Sequence, residues 1–174
     1  MENFKELEQK FFQVEIFERE INNTRDRDKK KELQDKHKNF MKELISSAKQ
    51  LIDGKLKKGI IEFFEKDDIT QEMIEFTEAL GFYLAKKDLS TGQIRNFFGE
   101  IKSIQLQYNA NRIKLLKPKL EYVAKKNDSD GMKLFRDVMR PTLDFICYKG
   151  EKEYNLFINF FESVLAYHKA FGGK

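Results

Sequence analysis

Few residues of this sequence have the type and spacing that catalysis needs. Its two histidines are His37, which lies among charged residues, and His168, which lies in the most apolar helical pattern of the chain. We expect His37 to be a solvated helix position. For His168 we expect a capping or core-edge role, with contact to a nucleic-acid phosphate as the alternative. Cys147 follows two apolar residues, which favours a buried side chain over a reactive thiol. Because it is the single cysteine, an intramolecular disulfide and an all-cysteine metal site are excluded.

Phosphate loops and catalytic carboxylates are equally scarce. The glycines at 92 and 99 match neither standard nucleotide-binding fingerprint. The segment from Asp67 to Thr70 offers candidate N-caps for a following helix, and the scattered glutamates are predicted to be helix-face partners of lysines. We therefore expect a protein that is not an enzyme and that holds no metal or cofactor.

A basic segment between Leu89 and Lys126 is the strongest functional signal. It carries eight basic residues and two acidic ones, although the whole chain has a net charge of only +4. A solvated helix face normally mixes both signs, so the segment favours binding of single-stranded nucleic acid; an acidic protein partner and plain solubility are the alternatives. Its cations are Arg95, Lys102, Arg112, Lys114, Lys117, Lys119, Lys125 and Lys126.

The aromatic residues are assigned mainly to the core. The chain has 17 phenylalanines and no tryptophan, and most of them recur at helical spacing with other apolar residues. A role as base-stacking platforms would require an unusually exposed set.

The elements that must position these residues are helices. Nine glycines and two prolines in 174 residues are few, and no segment alternates with a two-residue period. The sequence predicts an all-α protein with a compact bundle of about five helices over residues 70–174. Residues 1–66 carry two amphipathic stripes, from Phe4 to Ile21 and from Leu33 to Ile52, which predict a helical hairpin or one interrupted rod. We place the domain boundary so that 1–66 form an N-terminal extension and 67–174 form the core bundle.

Local signals define several helix ends within the bundle. Ser90 and Gln93 fit a capping box. Pro118 predicts a new helix that starts near it, after a separate turn, and Pro141 predicts a kink or a break. Gly81 indicates close approach to a neighbouring helix, and the pair at 172 and 173 is predicted to end the last helix.

No segment approaches the length and apolarity of a membrane span, and the first residues lack the apolar region of a signal peptide. We therefore expect a cytoplasmic protein without membrane contact.

Three separated blocks carry a family resemblance. In order, they are Ala79–Gly81 with Leu89–Phe98, then Leu116–Tyr122, then Phe160–Lys169 with Gly172–Lys174. Together they resemble the small subunit of the type III-A CRISPR (Csm) effector complex. The likeness covers about residues 70–174, and we map nothing onto residues 1–66.

The resemblance implies a non-catalytic, all-helical subunit present in more than one copy. It implies contact with the backbone and large subunits of the complex, and with single-stranded target RNA paired to the guide. By position it implies phosphate contacts at Arg95, Lys117, Lys119 and Lys169. After Tyr122 the chain departs from the usual pattern, because lysines at 125 and 126 stand where an arginine is expected, and lysine lacks the bidentate fork. A helical protein-protein scaffold without RNA contact is the alternative.

Overall fold

The computed structural model describes residues 3–66 and 68–173 and confirms an all-α protein. The described residues form eight helices in all, more than the about five that the sequence analysis counted for the bundle. Three of the eight lie in the N-terminal extension and five lie between residues 71 and 170. The helices are α1 (Phe4–Asn23), α2 (Arg27–Lys58), α3 (Glu62–Glu65), α4 (Gln71–Lys86), α5 (Thr91–Leu106), α6 (Ala110–Lys126), α7 (Asp130–Ile146) and α8 (Glu151–Ala170).

Side-chain caps explain where several helices begin. Ser90 and Gln93 form the predicted capping box at the start of α5, with the Gln93 backbone nitrogen 3.2 Å from the Ser90 hydroxyl. Thr70 caps α4 by accepting from the Met73 amide. Asp68 accepts from the amide of its own neighbour instead, and Asp67 lies outside the described residues. The helix starts are therefore set locally, as the sequence indicates.

The core centres on the crossing of α4 and α8. Phe76, Leu80, Phe157 and Phe161 are fully buried there. At Gly81 the two helices come so close that an added Cβ would lie 2.6 Å from the Tyr167 Cβ atom. This confirms the predicted close approach.

The N-terminal helices share this core. The Phe17 and Phe40 rings lie 5.5 Å apart, so α1 and α2 form an antiparallel hairpin rather than a rod. At its base the Phe11 ring lies 4.7 Å from Phe82 of α4, and Leu7, Leu44 and Ile52 belong to the same buried cluster as the bundle. The hairpin therefore packs on the bundle, while the domain division at residue 67 stays a prediction.

The prediction that a helix starts near Pro118 is wrong. Helix α6 is continuous from Ala110 to Lys126 and contains Pro118 in its interior. Proline in a helix costs about 3 kcal/mol because it removes one hydrogen bond and crowds the preceding turn. The buried side chains of Ile113, Leu116 and Leu120 lie on both sides of the proline and offset that cost. Helix α7 likewise runs through Pro141 without a break.

Replacement of Gly81 by alanine tests the helix crossing. Alanine favours a helix by about 1 kcal/mol over glycine, but the added methyl would also lie 2.7 Å from the His168 backbone nitrogen. We expect G81A to lower the free energy of unfolding by about 1–3 kcal/mol through overpacking. Gly99 of α5 is the matched control, because nothing lies within 4 Å of its added Cβ. In urea unfolding, G99A should stabilise the protein; equal stability of the two variants would contradict the close crossing.

Candidate nucleic-acid interface

Helix α5 lies between α6 and α8 and runs antiparallel to both. The Tyr154 hydroxyl of α8 donates to the Ile101 carbonyl at 2.8 Å, and Gln105 bonds Asn155 at 3.0 Å. On the other side, Arg112 of α6 donates to the Ser103 hydroxyl at 2.9 Å. These contacts fix the register in which the predicted cations of three helices face solvent.

Three of the predicted site residues are paired with carboxylates of neighbouring helices. Lys102 lies 2.9 Å from Glu162 of α8. Lys119 pairs with Glu100 of α5, and Lys117 pairs with Asp144 of α7. The hydrogen bond to Asp144 raises the pKa of the Lys117 ammonium, which is therefore charged at neutral pH. These lysines are partly neutralised within the molecule.

The other five predicted site residues have no ion pair with any described residue. Arg95, Lys125 and Lys169 are exposed. Arg112 donates to the carbonyl and hydroxyl of Ser103, both of which are neutral acceptors. The Lys126 ammonium lies 4.4 Å from the centre of the Tyr122 ring.

Four of these five cations lie at one end of the three-helix surface. Lys102 faces Glu162, Arg95 precedes Lys102 by seven residues, and Lys169 follows Glu162 by seven. Two helical turns of antiparallel register therefore bring Arg95 opposite Lys169. The pairing of Lys119 with Glu100 likewise sets the last turn of α6 beside the first turns of α5. We call this cluster the basic end: Arg95, Lys125, Lys126 and Lys169.

Two exposed apolar residues on α6 were missed by the sequence assignment. Leu115 is 59% exposed and Tyr122 is 61% exposed, and they lie seven residues apart. They alternate along one face of the helix with Arg112, Lys119 and Lys126. The signal was present, because Leu115 and Tyr122 are out of phase with the buried series Ile113, Leu116 and Leu120.

Both histidines are more buried than the sequence predicts. His168 is fully buried, its Nε2 lies 2.7 Å from the Leu89 carbonyl oxygen, and burial lowers its pKa. It is a core residue, so the alternative of a phosphate contact is wrong. His37 is half-buried against the Phe17 ring, with its Nε2 atom shielded from solvent, because it lies on the side of α2 that faces α1. Cys147 is buried, as predicted.

The most strongly shifted carboxyl group lies elsewhere, in a groove between α1, α4 and the end of α8. Burial, reinforced by the nearby charges of Glu8 and Glu75, raises the pKa of Glu78 to about 7. Phe82 and Tyr167 line the same groove. Within residues 3–66 and 68–173, no group of histidine, cysteine and carboxylate side chains could hold a metal ion.

This geometry defines a class: an all-helical protein that displays an exposed basic cluster. The comparison with protein families is more specific, since the model of Csm2 Type III-A matches residues 67–174. The chain belongs to this family and is a small subunit of the type III-A Csm complex. The match spans α4–α8 and leaves α1–α3 outside it. The comparisons with curated proteins and with solved structures give no match. None of the helices in the described part of the chain is both long and apolar enough to span a membrane.

Replacement of Glu78 by glutamine tests this half-buried carboxyl group. The folded pKa of about 7 lies above the ordinary value of 4.5. Between these two pH values the folded chain therefore keeps the carboxyl proton, while the unfolded chain loses it. The wild-type protein should therefore lose stability at this site as pH rises from about 4.5 to 7. We expect E78Q to become more stable than the wild type by about 1–3 kcal/mol between pH 5 and pH 8.

Chemical unfolding at both pH values measures this difference. The same change at the exposed Glu43 is the control substitution. A stability difference for E78Q that does not change with pH would contradict the burial of an uncompensated carboxyl group.

Proposed function

We propose that this chain is a non-catalytic RNA-binding subunit of the type III-A CRISPR interference ribonucleoprotein. In this proposal it lines the channel of the single-stranded target RNA and contacts phosphates independently of sequence. The observation that carries the proposal is the basic end, where Arg95, Lys125, Lys126 and Lys169 are exposed and lack a carboxylate partner in the described chain. Family membership supports the setting in a Csm complex.

Phosphate binding requires little more than cations on a rigid surface. Lysine and arginine that neutralise phosphates release counterions, and this gain does not depend on base identity. Sequence specificity would come from pairing between guide and target. The helices of the basic end are anchored by the buried residues Ile94, Phe97 and Val164, so its cations start from a fixed backbone.

The ion-paired lysines are assigned a smaller share. Lys102, Lys117 and Lys119 must exchange a carboxylate for a phosphate, although an exposed pair is worth only about 0–1 kcal/mol and can open. Lys125 and Lys126 stand in the position of the expected arginine and contribute charge without bidentate geometry. Beside them, the exposed Tyr122 ring offers an apolar surface for a base or ribose.

The proposed partners follow from the same assignment. They are the target RNA, the backbone and large subunits of the complex, and further copies of this chain, in the cytoplasm. No catalytic step is assigned to this subunit, which leaves RNA and DNA cleavage to other subunits.

Binding measurements with the assembled complex test the phosphate contacts. We expect R95A combined with K169A to weaken target-RNA binding about equally for all target sequences. Each lost contact should flatten the dependence of log affinity on log salt by roughly 0.7. Because their cations are already paired, K117A combined with K119A should have a smaller effect.

The matched control removes two exposed lysines at the end of α2, K57A with K58A, and should leave the salt slope unchanged. If the salt slope of R95A with K169A equalled that of the wild type, the proposed phosphate contacts would be wrong.

The alternative is a protein-protein scaffold that docks this surface on an acidic subunit. The exposure of Leu106 (87%) and Leu115 (59%) favours it, because apolar side chains are typical of protein interfaces. Photo-crosslinking from position 95 in the intact complex separates the two functions. Crosslinks to RNA support the proposed function, and crosslinks to protein alone favour the scaffold.

A further inference from the structure

The distal part of the α1–α2 hairpin contains no buried residue. From residue 12 to residue 43 every residue is half-buried or exposed, whereas Leu7, Phe11, Leu44 and Ala48, which flank this stretch, are buried. We call residues 12–43 the arm. It lies outside the part of the chain that matches the family model, residues 67–174.

The arm carries an apolar seam that two helices cover only in part. Val14, Phe17 and Ile21 of α1 follow one another at spacings of three and four residues, and Leu33, His37 and Phe40 do the same in α2. All six are half-buried. This spacing is that of helices that pack in coiled coils and four-helix bundles, where further helices close the seam.

Further apolar side chains of α1 are exposed, beginning with Phe12 in the groove beside α4 and the end of α8. Phe12 is 62% exposed and Ile16 is 42% exposed, and they are four residues apart on one face of α1. The Nε2 atom of His37 is shielded from solvent and has no hydrogen-bond partner among the described residues. The arm therefore presents more apolar surface than a solvated two-helix hairpin needs.

The two helices of the arm carry opposite charge. Between residues 12 and 23, α1 has three acidic residues and one basic residue; between 27 and 43, α2 has seven basic and four acidic residues. The ion pairs of the described arm lie within single helices, Arg19 with Glu15 and Lys36 with Glu32. The acidic part of α1 and the basic part of α2 can therefore each attract a helix of opposite charge on a partner.

We propose that the arm pairs with the arm of a second copy of this chain to form a four-helix bundle. The pairing is two-fold symmetric, and α1 of each copy lies against α2 of the other. A surface that carries both an acidic and a basic helix around an apolar seam is complementary to itself, which is what a two-fold interface requires. A foreign partner would need a matching seam and the inverse charge pattern. This interface involves no RNA contact.

Sedimentation equilibrium of the full-length protein between about 1 and 100 μM tests the pairing, since weak specific complexes fall in this range. We expect the mass to rise from that of the 20.7 kDa monomer to twice that value. F12Q combined with I16Q should raise the dimer dissociation constant at least about a hundredfold, because two apolar side chains per copy lose their contacts. Both residues are exposed in the single chain, so helicity should be retained.

The control substitutes apolar residues of similar exposure outside the arm. I69Q with L106Q removes side chains that are 43% and 87% exposed, and it should leave the dimer intact. A wild-type protein that stays monomeric up to 100 μM would overturn the proposal, as would equal dissociation of the control.

Charge reversal tests which helices face each other. Reversal of the acidic residues in the α1 half, E15K with E18K and E20K, should dissociate the dimer. Addition of K29E, K36E and K38E in the α2 half should restore it, because the pattern is then inverted but still complementary. Failure of this restoration would overturn the proposed pairing. The sedimentation samples contain no RNA, so failure of the arm pairing and failure of the proposed RNA binding can be told apart.

Discussion

The close crossing of α4 and α8 is the contact on which the other helices depend. Gly81 lets the two backbones approach, and the buried rings of Phe76 and Phe160, with centroids 6.1 Å apart, fill the space along the crossing. Because α8 is fixed in this way, the buried Tyr154 hydroxyl can hold α5 through the Ile101 carbonyl. At the other end of α8, His168 bonds the Leu89 carbonyl just before α5 begins. The position of α5, and with it that of Arg95, therefore follows from the α4–α8 crossing.

The continuity of α6 has a separate physical origin and decides how its cations are arranged. A break at Pro118 would have placed Arg112 and Lys126 on unrelated axes. Burial of Ile113, Leu116 and Leu120 holds one axis through the proline, so cations seven residues apart share a face. The same continuous helix brings Lys117 to Asp144 and Lys119 to Glu100. The continuity of α6 thus aligns its cations on one face and also brings two of its lysines to carboxylates that neutralise them in part.

The sequence supports prediction of those features that depend on neighbouring residues. The capping box at Ser90, the close approach at Gly81, the helical class and the buried Cys147 all follow from local pattern. Which cations form ion pairs cannot be predicted in this way, because Glu162 and Asp144 come from helices far along the chain. Only the three-dimensional register brings these carboxylates to Lys102 and Lys117 while leaving Arg95 without an ion pair among the described residues. The helix start near Pro118 failed for a related reason, since tertiary burial outweighed a local preference.

The base of the arm determines what its free end can do. Lys55 is buried near the end of α2, where it pairs with Glu62 at 2.9 Å and Glu72 at 3.1 Å and lies 4.3 Å from the Phe63 ring centre. These contacts join α2 to α3 and α4, and Phe11 joins α1 to α4, so the hairpin leaves the bundle in a fixed direction. Its helices are distinct from α5 and α6, which pack on α7 and α8. Pairing of two arms would therefore leave Arg95, Lys125 and Lys126 exposed, because they lie on α5 and α6. Lys169 is nearer to the arm, since the end of α8 borders the groove that Phe12 lines.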